Sequence, residues 1–368
     1  MKPTMAPAGI LALFICCACH LRADEVKVGV MAPLSGVRAD CGAYVKNGLE
    51  LALEDLQART DRKYHISTLI EDSRYEAKTA VSAYLKLSRV DGVRFFIGPA
   101  SSTEVLSVAP LSERDRAILM LYGSQSDEVS SAGKLIFRLI HNAAQDAPFF
   151  APVVAQHMRG DTLHFLTAVM AFTEPYLKLF KQEIIRCGKR QGLTEEYQYG
   201  SGDYRVQLMR LKDAGATDIM ILALPADAGR ILKQARELGL KAQWYNIGVE
   251  SPELIQAAGG AAEGLLYPYS YDADGDSPAV RSFSSRYLAR FGALPDTQAA
   301  NAYDALMLLN SCFEKAGLEV AAVSACLYSI RGYQGVGGTF SINSDGDAVK
   351  QMMVKTVHQG RFVRYPLN

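Results

Sequence analysis

Glu25-Val-Lys-Val-Gly-Val30 alternates apolar and polar side chains, and behind it Ala43-Tyr-Val-Lys-Asn-Gly-Leu-Glu-Leu-Ala-Leu-Glu-Asp-Leu56 sets Val45, Leu49, Ala52, Leu53 and Leu56 at helical spacing. Period two followed by period 3.6 is one βα unit. A second follows, with Tyr64 to Ile70 as strand and Ala77, Ala80, Val81, Tyr84, Leu85 and Val90 lining one face of a helix. A third runs from Val93 to Ile97 through Gly98-Pro-Ala-Ser-Ser-Thr103 into a helix, and Ala117 to Leu121 adds another apolar strand. Strands alternating with helices at this spacing pair in parallel, with right-handed crossovers and helices on both faces of the sheet.

The same grammar continues beyond Gln145. Leu163 to Val169 reads as a strand and Tyr176 to Arg186 as a helix. Asp218-Ile-Met-Ile-Leu-Ala-Leu224 is a continuous apolar strand of the kind buried on both faces, followed by a helix over Ala226 to Leu238 and a short strand around Gln243 to Ile247. A second doubly wound sheet is expected. None of Pro148, Pro152 or Pro175 lies in a Gly/Ser-rich run, so the halves are expected to be joined by several short crossings that allow hinge motion. Ser282 to Phe291, Gln298 to Ala316 and Val320 to Ile330 read as three helices, and Gly337 to Ile342 and Met352 to Val357 as strands. Three helices in a row suit a return to the first lobe, with a last crossing into the second.

The chain has 368 residues, enough for about two domains, and 49% of them are hydrophobic. Lys2, the apolar stretch Ile10 to Ala18 and Leu21-Arg-Ala23 predict a signal peptide over residues 1–23 and therefore export. Cys19 after Ala18 is the alternative, a lipid-modified cysteine, but Cys16 and Cys17 before it are poor for that signal. Cys16-Cys-Ala-Cys19-His20 also spells a haem attachment pattern, which cleavage would discard. Loss of the segment removes Lys2 and Arg22 and no acid, leaving 37 basic against 39 acidic residues. A charge of about −2 gives no footprint for nucleic acid or anionic membrane. Cys41, Cys187, Cys312 and Cys326 remain. Cys312 and Cys326 flank the break at Gly317 between two helices, and are expected either as a disulfide or as two buried thiols. The scattered His141, His157, His164 and His358 do not suggest zinc.

Gly29-Val-Met-Ala-Pro-Leu-Ser-Gly36, with Gly42 and Gly48 after it, resembles the opening of the Leu/Ile/Val-binding branch of the type I periplasmic binding proteins. Asp91-Gly-Val-Arg-Phe-Phe-Ile-Gly-Pro99, Ser101-Ser102, Ile136-Phe-Arg138, Ile231 to Leu240, Tyr287-Leu-Ala-Arg-Phe-Gly292 with Pro295, Ala302-Tyr-Asp-Ala305, and Phe340 with Asp345-Gly-Asp347 follow in the family's order. The resemblance spans nearly the whole chain after residue 23. It implies two doubly wound, Rossmann-like lobes joined by three crossings, closing on a small ligand. Lobe 1 is expected over 24–141 and 268–343, and lobe 2 over 142–267 and 344–368.

Ligands of open α/β sheets bind beyond the C-terminal ends of the strands. The Gly98 to Thr103 turn opens a helix there, so its free N–H groups and the hydroxyls of Ser101 and Ser102 suit a carboxylate, although Ser101 and Thr103 also suit plain helix capping. The resemblance carries the family's carboxylate site onto Ala100 and Ser102, and its second hydroxyl-rich loop onto Ser124 and Gln125. Its other positions are changed. A tyrosine common after the first strand falls at Cys41, a Tyr-Gly pair at Phe172-Thr173, and a covering aromatic at Leu224 or Pro225. A Gly-Gly segment is replaced by Arg59-Thr-Asp-Arg-Lys63. Glu250 is the position left for an acid facing a ligand ammonium. Cys41 and Phe172 have ordinary packing roles as alternatives.

No phosphate-binding loop, nucleophile elbow or dinucleotide fingerprint is present, and Asp345 and Asp347 sit in a common turn sequence, so neither catalysis nor a cofactor is expected. The resemblance implies a monomeric, exported solute-binding protein of an ABC uptake system. Its ligand is a branched-chain amino acid or a related polar or carboxylate-bearing compound, passed to a membrane permease. The alternative is a ligand-sensing receptor component for amides or for aromatic or short-chain carboxylates. Without an acid at Glu250 facing the ligand, the cleft favours uncharged or purely anionic molecules resting on Phe172 and Leu224.

Overall fold

The computed structural model describes residues 24–247 and 250–367. The expected signal segment and the lipid-anchor alternative at Cys19 lie outside them. The chain opens with β1 (Asp24–Ala32), α1 (Ala39–Gln57), β2 (Tyr64–Asp72), α2 (Ala77–Leu85), β3 (Phe95–Ile97), α3 (Ser102–Arg114), β4 (Ile118–Leu121) and β5 (Ile136–Arg138). These strands form one all-parallel sheet in the order β2-β1-β3-β4-β5. The order reverses between β1 and β3, which is where such sheets hold ligands.

A second series runs α4 (Ala143–His157), β6 (Thr162–Ala168), α5 (Thr173–Arg186), β7 (Arg190–Tyr197), α6 (Arg205–Asp213), β8 (Asp218–Leu222), α7 (Pro225–Glu237), β9 (Gln243–Asn246), α8 (Pro252–Ala258) and β10 (Leu266–Tyr269). The chain then returns through α9 (Pro278–Phe291), α10 (Thr297–Ala316), α11 (Val320–Tyr328), β11 (Tyr333–Gly335), β12 (Gly338–Ile342) and β13 (Ala348–Lys350), before ending on β14 (Met353–His358) and β15 (Arg361–Arg364). The second sheet has the order β15-β14-β10-β9-β8-β6-β7, and β11-β12-β13 form a small third sheet. The chain therefore passes between the two large sheets three times, after β5, after β10 and after β13. Tyr267, Pro268 and Tyr269 pair with Lys355, Val354 and Met353, and β13 pairs with β12.

Burial explains the layers. All five residues of β8 are buried, as a central parallel strand covered on both faces requires. Helix α1 turns Val45, Leu49, Ala52 and Leu56 inward and packs along α10. A Cβ on Gly48 would stand 2.2 Å from the Ala299 carbonyl oxygen, so glycine is what lets these helices approach. The sulfurs of Cys312 on α10 and Cys326 on α11 are joined. No helix of the described residues is long and apolar enough to cross a membrane.

Candidate functional site

The loops after all five strands of the first sheet converge on one cleft. Asp72 at the end of β2 organises the first two. Its carboxylate accepts from Leu34 N at 2.9 Å, Ser35 N at 3.3 Å, Ser35 Oγ at 2.6 Å and Arg74 N at 2.9 Å. Desolvation is the largest single influence and raises the Asp72 carboxyl, but these hydrogen bonds together outweigh it and hold the group below its ordinary range. Arg74 and Tyr75 then take left-handed backbone, φ 56° and 62°, a strained pair that brings the Tyr75 ring to the cleft. The third loop precedes α3, where Gly98 has φ 96° and a Cβ there would meet the Met31 oxygen at 2.2 Å.

Ser101 is the N-cap of α3. Its Oγ accepts from Glu104 N at 3.2 Å, and its N–H donates to Glu104 Oε2 at 2.7 Å, a complete capping box. Ser101 is thus a capping residue that also lines the cleft. Ser102 is differently engaged. Its Oγ accepts from Ser124 Oγ at 3.1 Å and from Ser126 N at 3.2 Å, which leaves its own proton to donate elsewhere. Ser124 has φ 77°, and a Cβ on the preceding Gly123 would stand 2.5 Å from the Ala100 oxygen. Two loops are therefore pressed together, and their hydroxyls face the same space.

Opposite them stand Phe172, just before α5, and Leu224, just before α7, both at strand ends of the second sheet. The cavity between is lined by Arg38, Cys41, Tyr75, Ala100, Ser101, Ser102, Gly123, Ser124, Gln125, Ile140, Phe172, Leu224 and Gln298, with a volume of about 40 Å³. Eight of the nine residues expected from the sequence meet here. Phe172 and Leu224 serve both readings, since they line the cleft and belong to the second lobe's core. Cys41 is 1% exposed, and burial pushes its thiol well above the ordinary range, so it stays protonated. Gln125 lines the cleft, and its Nε2 is buried without a hydrogen-bond partner among the described residues.

Glu250 is the exception. It lies apart from this cavity, paired with Lys355 Nζ at 2.8 Å and accepting from Tyr267 Oη at 2.7 Å. Lys355 is 5% exposed in its side chain and sits opposite Tyr267 in the β10–β14 ladder, so the acid answers a buried cation of its own lobe. Glu250 therefore stands outside this cavity, with its carboxylate turned to Lys355 and Tyr267.

Sequence reasoning missed Arg38. This residue, 4% exposed, donates Nε and Nη2 to Asp40 at 3.0 and 3.3 Å and lies 6.0 Å from the Tyr75 ring centre, and both Arg38 and Tyr75 line the cavity. The overlooked signal is an arginine two residues past Gly36 in a strand-end loop. Among the described residues no cluster of His, Cys, Asp and Glu suits a metal ion.

Two α/β lobes, one with an all-parallel sheet and one with a mixed sheet, presenting strand-end loops to each other across a cleft define the class of hinged ligand-binding proteins. The chain belongs to the periplasmic binding protein family, whose model matches residues 25–361. It is 25% identical over 302 residues to the leucine-, isoleucine-, valine-, threonine- and alanine-binding protein of Pseudomonas aeruginosa, covering 81% of this chain and 80% of that one. Its fold matches a leucine-binding protein of Thermotoga maritima with a TM-score of 0.84 at 24% identity, covering 93% of this chain and 98% of that one. It also matches a solute-binding protein of an ABC transporter from Rhodopseudomonas palustris, in complex with 3,4-dihydroxybenzoic acid, with a TM-score of 0.83 at 22% identity over 93% and 96% of the two chains.

Proposed function

We propose that the protein is the solute-binding component of an ABC uptake system, exported to the periplasm by residues 1–23, and that it closes on a small molecule carrying a carboxylate. The lobes are proposed as residues 24–141 and 268–343 against 142–267 and 344–368, with the second and third hinge segments drawn to the strand ends at Tyr269 and Lys350. The observation that carries this reading is the Ser102 hydroxyl. Two donors occupy its lone pairs at the N-terminus of α3, so its proton and the free N–H groups of that helix turn are left for an anion. Similarity to a binder of aliphatic amino acids and to a binder of an aromatic acid supports a carboxylate as the shared feature. Nothing in the cleft assembles a nucleophile with a base, which supports capture rather than catalysis.

A ligand that bridges Ser102 in one lobe and Phe172 or Leu224 in the other stabilises the closed form by touching both sides only there. A thermal-shift screen of residues 24–368 against amino acids, amides and aromatic or short-chain carboxylates tests the function. A ligand at 100 times its Kd adds about 2.7 kcal/mol of stability. A shift with any carboxylate-bearing member supports the reading, and a shift only with amides lacking a carboxylate contradicts it.

A further inference from the structure

The charge pattern of the cleft narrows the ligand class, on the footing of the function just proposed. Among the described residues, those lining the cavity include one permanent cation, Arg38, and no aspartate or glutamate. Asp40 takes two of the guanidinium nitrogens, and Nη1 has no hydrogen-bond partner among the described residues. The arginine is held in place by that bidentate pair and by the Tyr75 ring, so little side-chain freedom is lost when a further anion binds. The acids nearest the cavity do not line it: Glu253, close to Arg38 and Asp40, lines a neighbouring pocket. Glu250 is held by Lys355, and Asp296 caps α10 by accepting from Ala299 N at 2.8 Å. Other donors at the cavity include the Ser102 hydroxyl and the unpartnered, buried Gln125 amide nitrogen. Ile140, Phe172 and Leu224 complete the wall as apolar surface.

An α-amino acid would bring its ammonium into this space beside a guanidinium, without a carboxylate to receive it. Desolvating such a group unpaired is costly. A monoacid of the same size would bring only the charge that Arg38, Ser102 and Gln125 can use.

We propose that Arg38 is the specificity-determining residue of the cleft, and that the ligand is a small carboxylate with an aromatic or branched aliphatic body and no amino group. Isothermal titration of residues 24–368 with paired probes tests this: 4-methylpentanoate against leucine, and benzoate against phenylalanine. At least one acid is expected to bind tenfold or more tighter than its amino-acid partner, and R38Q is expected to weaken that acid tenfold or more. R38Q leaves Asp40 without its partner, so R38Q/D40N carries the same expectation with no stranded charge. Leucine or phenylalanine binding as tightly as the matching acid would overturn the inference, as would acid affinity unchanged in both variants, and either result leaves the solute-binding function standing. Failure of all four probes to bind would instead count against the carboxylate-binding function, and the inference would fall with it.

Discussion

Ser102 and Asp296 illustrate two ways a single side chain is committed by its surroundings. Ser102 receives two hydrogen bonds and keeps one proton to give. Ser102→Ala removes that donor and is expected to weaken ligand binding by about 1 to 3 kcal/mol, as measured by calorimetry. Unchanged affinity would take Ser102 out of the site. Asp296 is committed to the α10 cap, and burial pushes its carboxyl from 3.8 up to about 7, with Asp40 adding to the rise and Ala299 N–H and Arg38 opposing it. An acid that holds its proton more tightly folded than unfolded contributes stability at low pH and loses that contribution as pH rises to its folded value. Asn also caps a helix, so D296N isolates the titration. Its stability relative to the unsubstituted protein is expected to rise between pH 4 and 7 and to level off above, read by urea unfolding at several pH values. A difference that does not vary with pH would show that Asp296 titrates normally.

Elements repeat the lesson with glycine and proline. Gly48 sits where α1 meets the backbone of α10. Gly48→Ala gains helix propensity but drives a methyl into the Ala299 carbonyl, and the overpacking is expected to dominate, costing about 1 to 3 kcal/mol in a urea titration. An equal or higher midpoint would show that the helices can part freely. The strands and helices legible in the sequence were those whose burial writes a period, such as β8 with every residue inside and α7 with Ile231, Leu232 and Ala235 on one face. Strand β7 left little trace because it is the sheet's edge, and most of Arg190 to Glu196 is exposed or half-buried. Helix α4 carries Pro148 and Pro152 in its interior, residues that sequence reasoning places at helix starts or breaks. Loop chemistry singled out Ser101 and Ser102, the family resemblance added Ala100, Ser124 and Gln125, and the structure brings these five to one cavity. Arg38 and Tyr75 were not legible, because backbone geometry and the Asp40 pairing place them and neither follows from spacing. The Glu250–Lys355 pair was not legible because Lys355 is distant in sequence and adjacent only through the β10–β14 ladder.

At the scale of the molecule, the binding loops are tied to the passages between the sheets. Arg138 ends β5, immediately before the first passage, and its Nη1 donates to the carbonyls of Ser124 at 3.2 Å and Ser126 at 2.6 Å. The same guanidinium pairs with Asp347 at 2.9 Å, close to the third passage, and Asp347 also accepts from Asn142 at 3.1 Å at the start of α4. A buried ion pair is poor evidence of stability in itself, but this one joins the loop that carries Ser124 to two of the three hinge segments. The central claim is that ligand held between Ser102 and Arg38 on one side and Phe172 and Leu224 on the other draws the lobes together. Small-angle X-ray scattering of residues 24–368, with and without a saturating carboxylate shown by calorimetry to bind, tests it most directly. The account predicts a smaller radius of gyration with ligand in the unsubstituted protein. An unchanged radius at full occupancy would contradict closure.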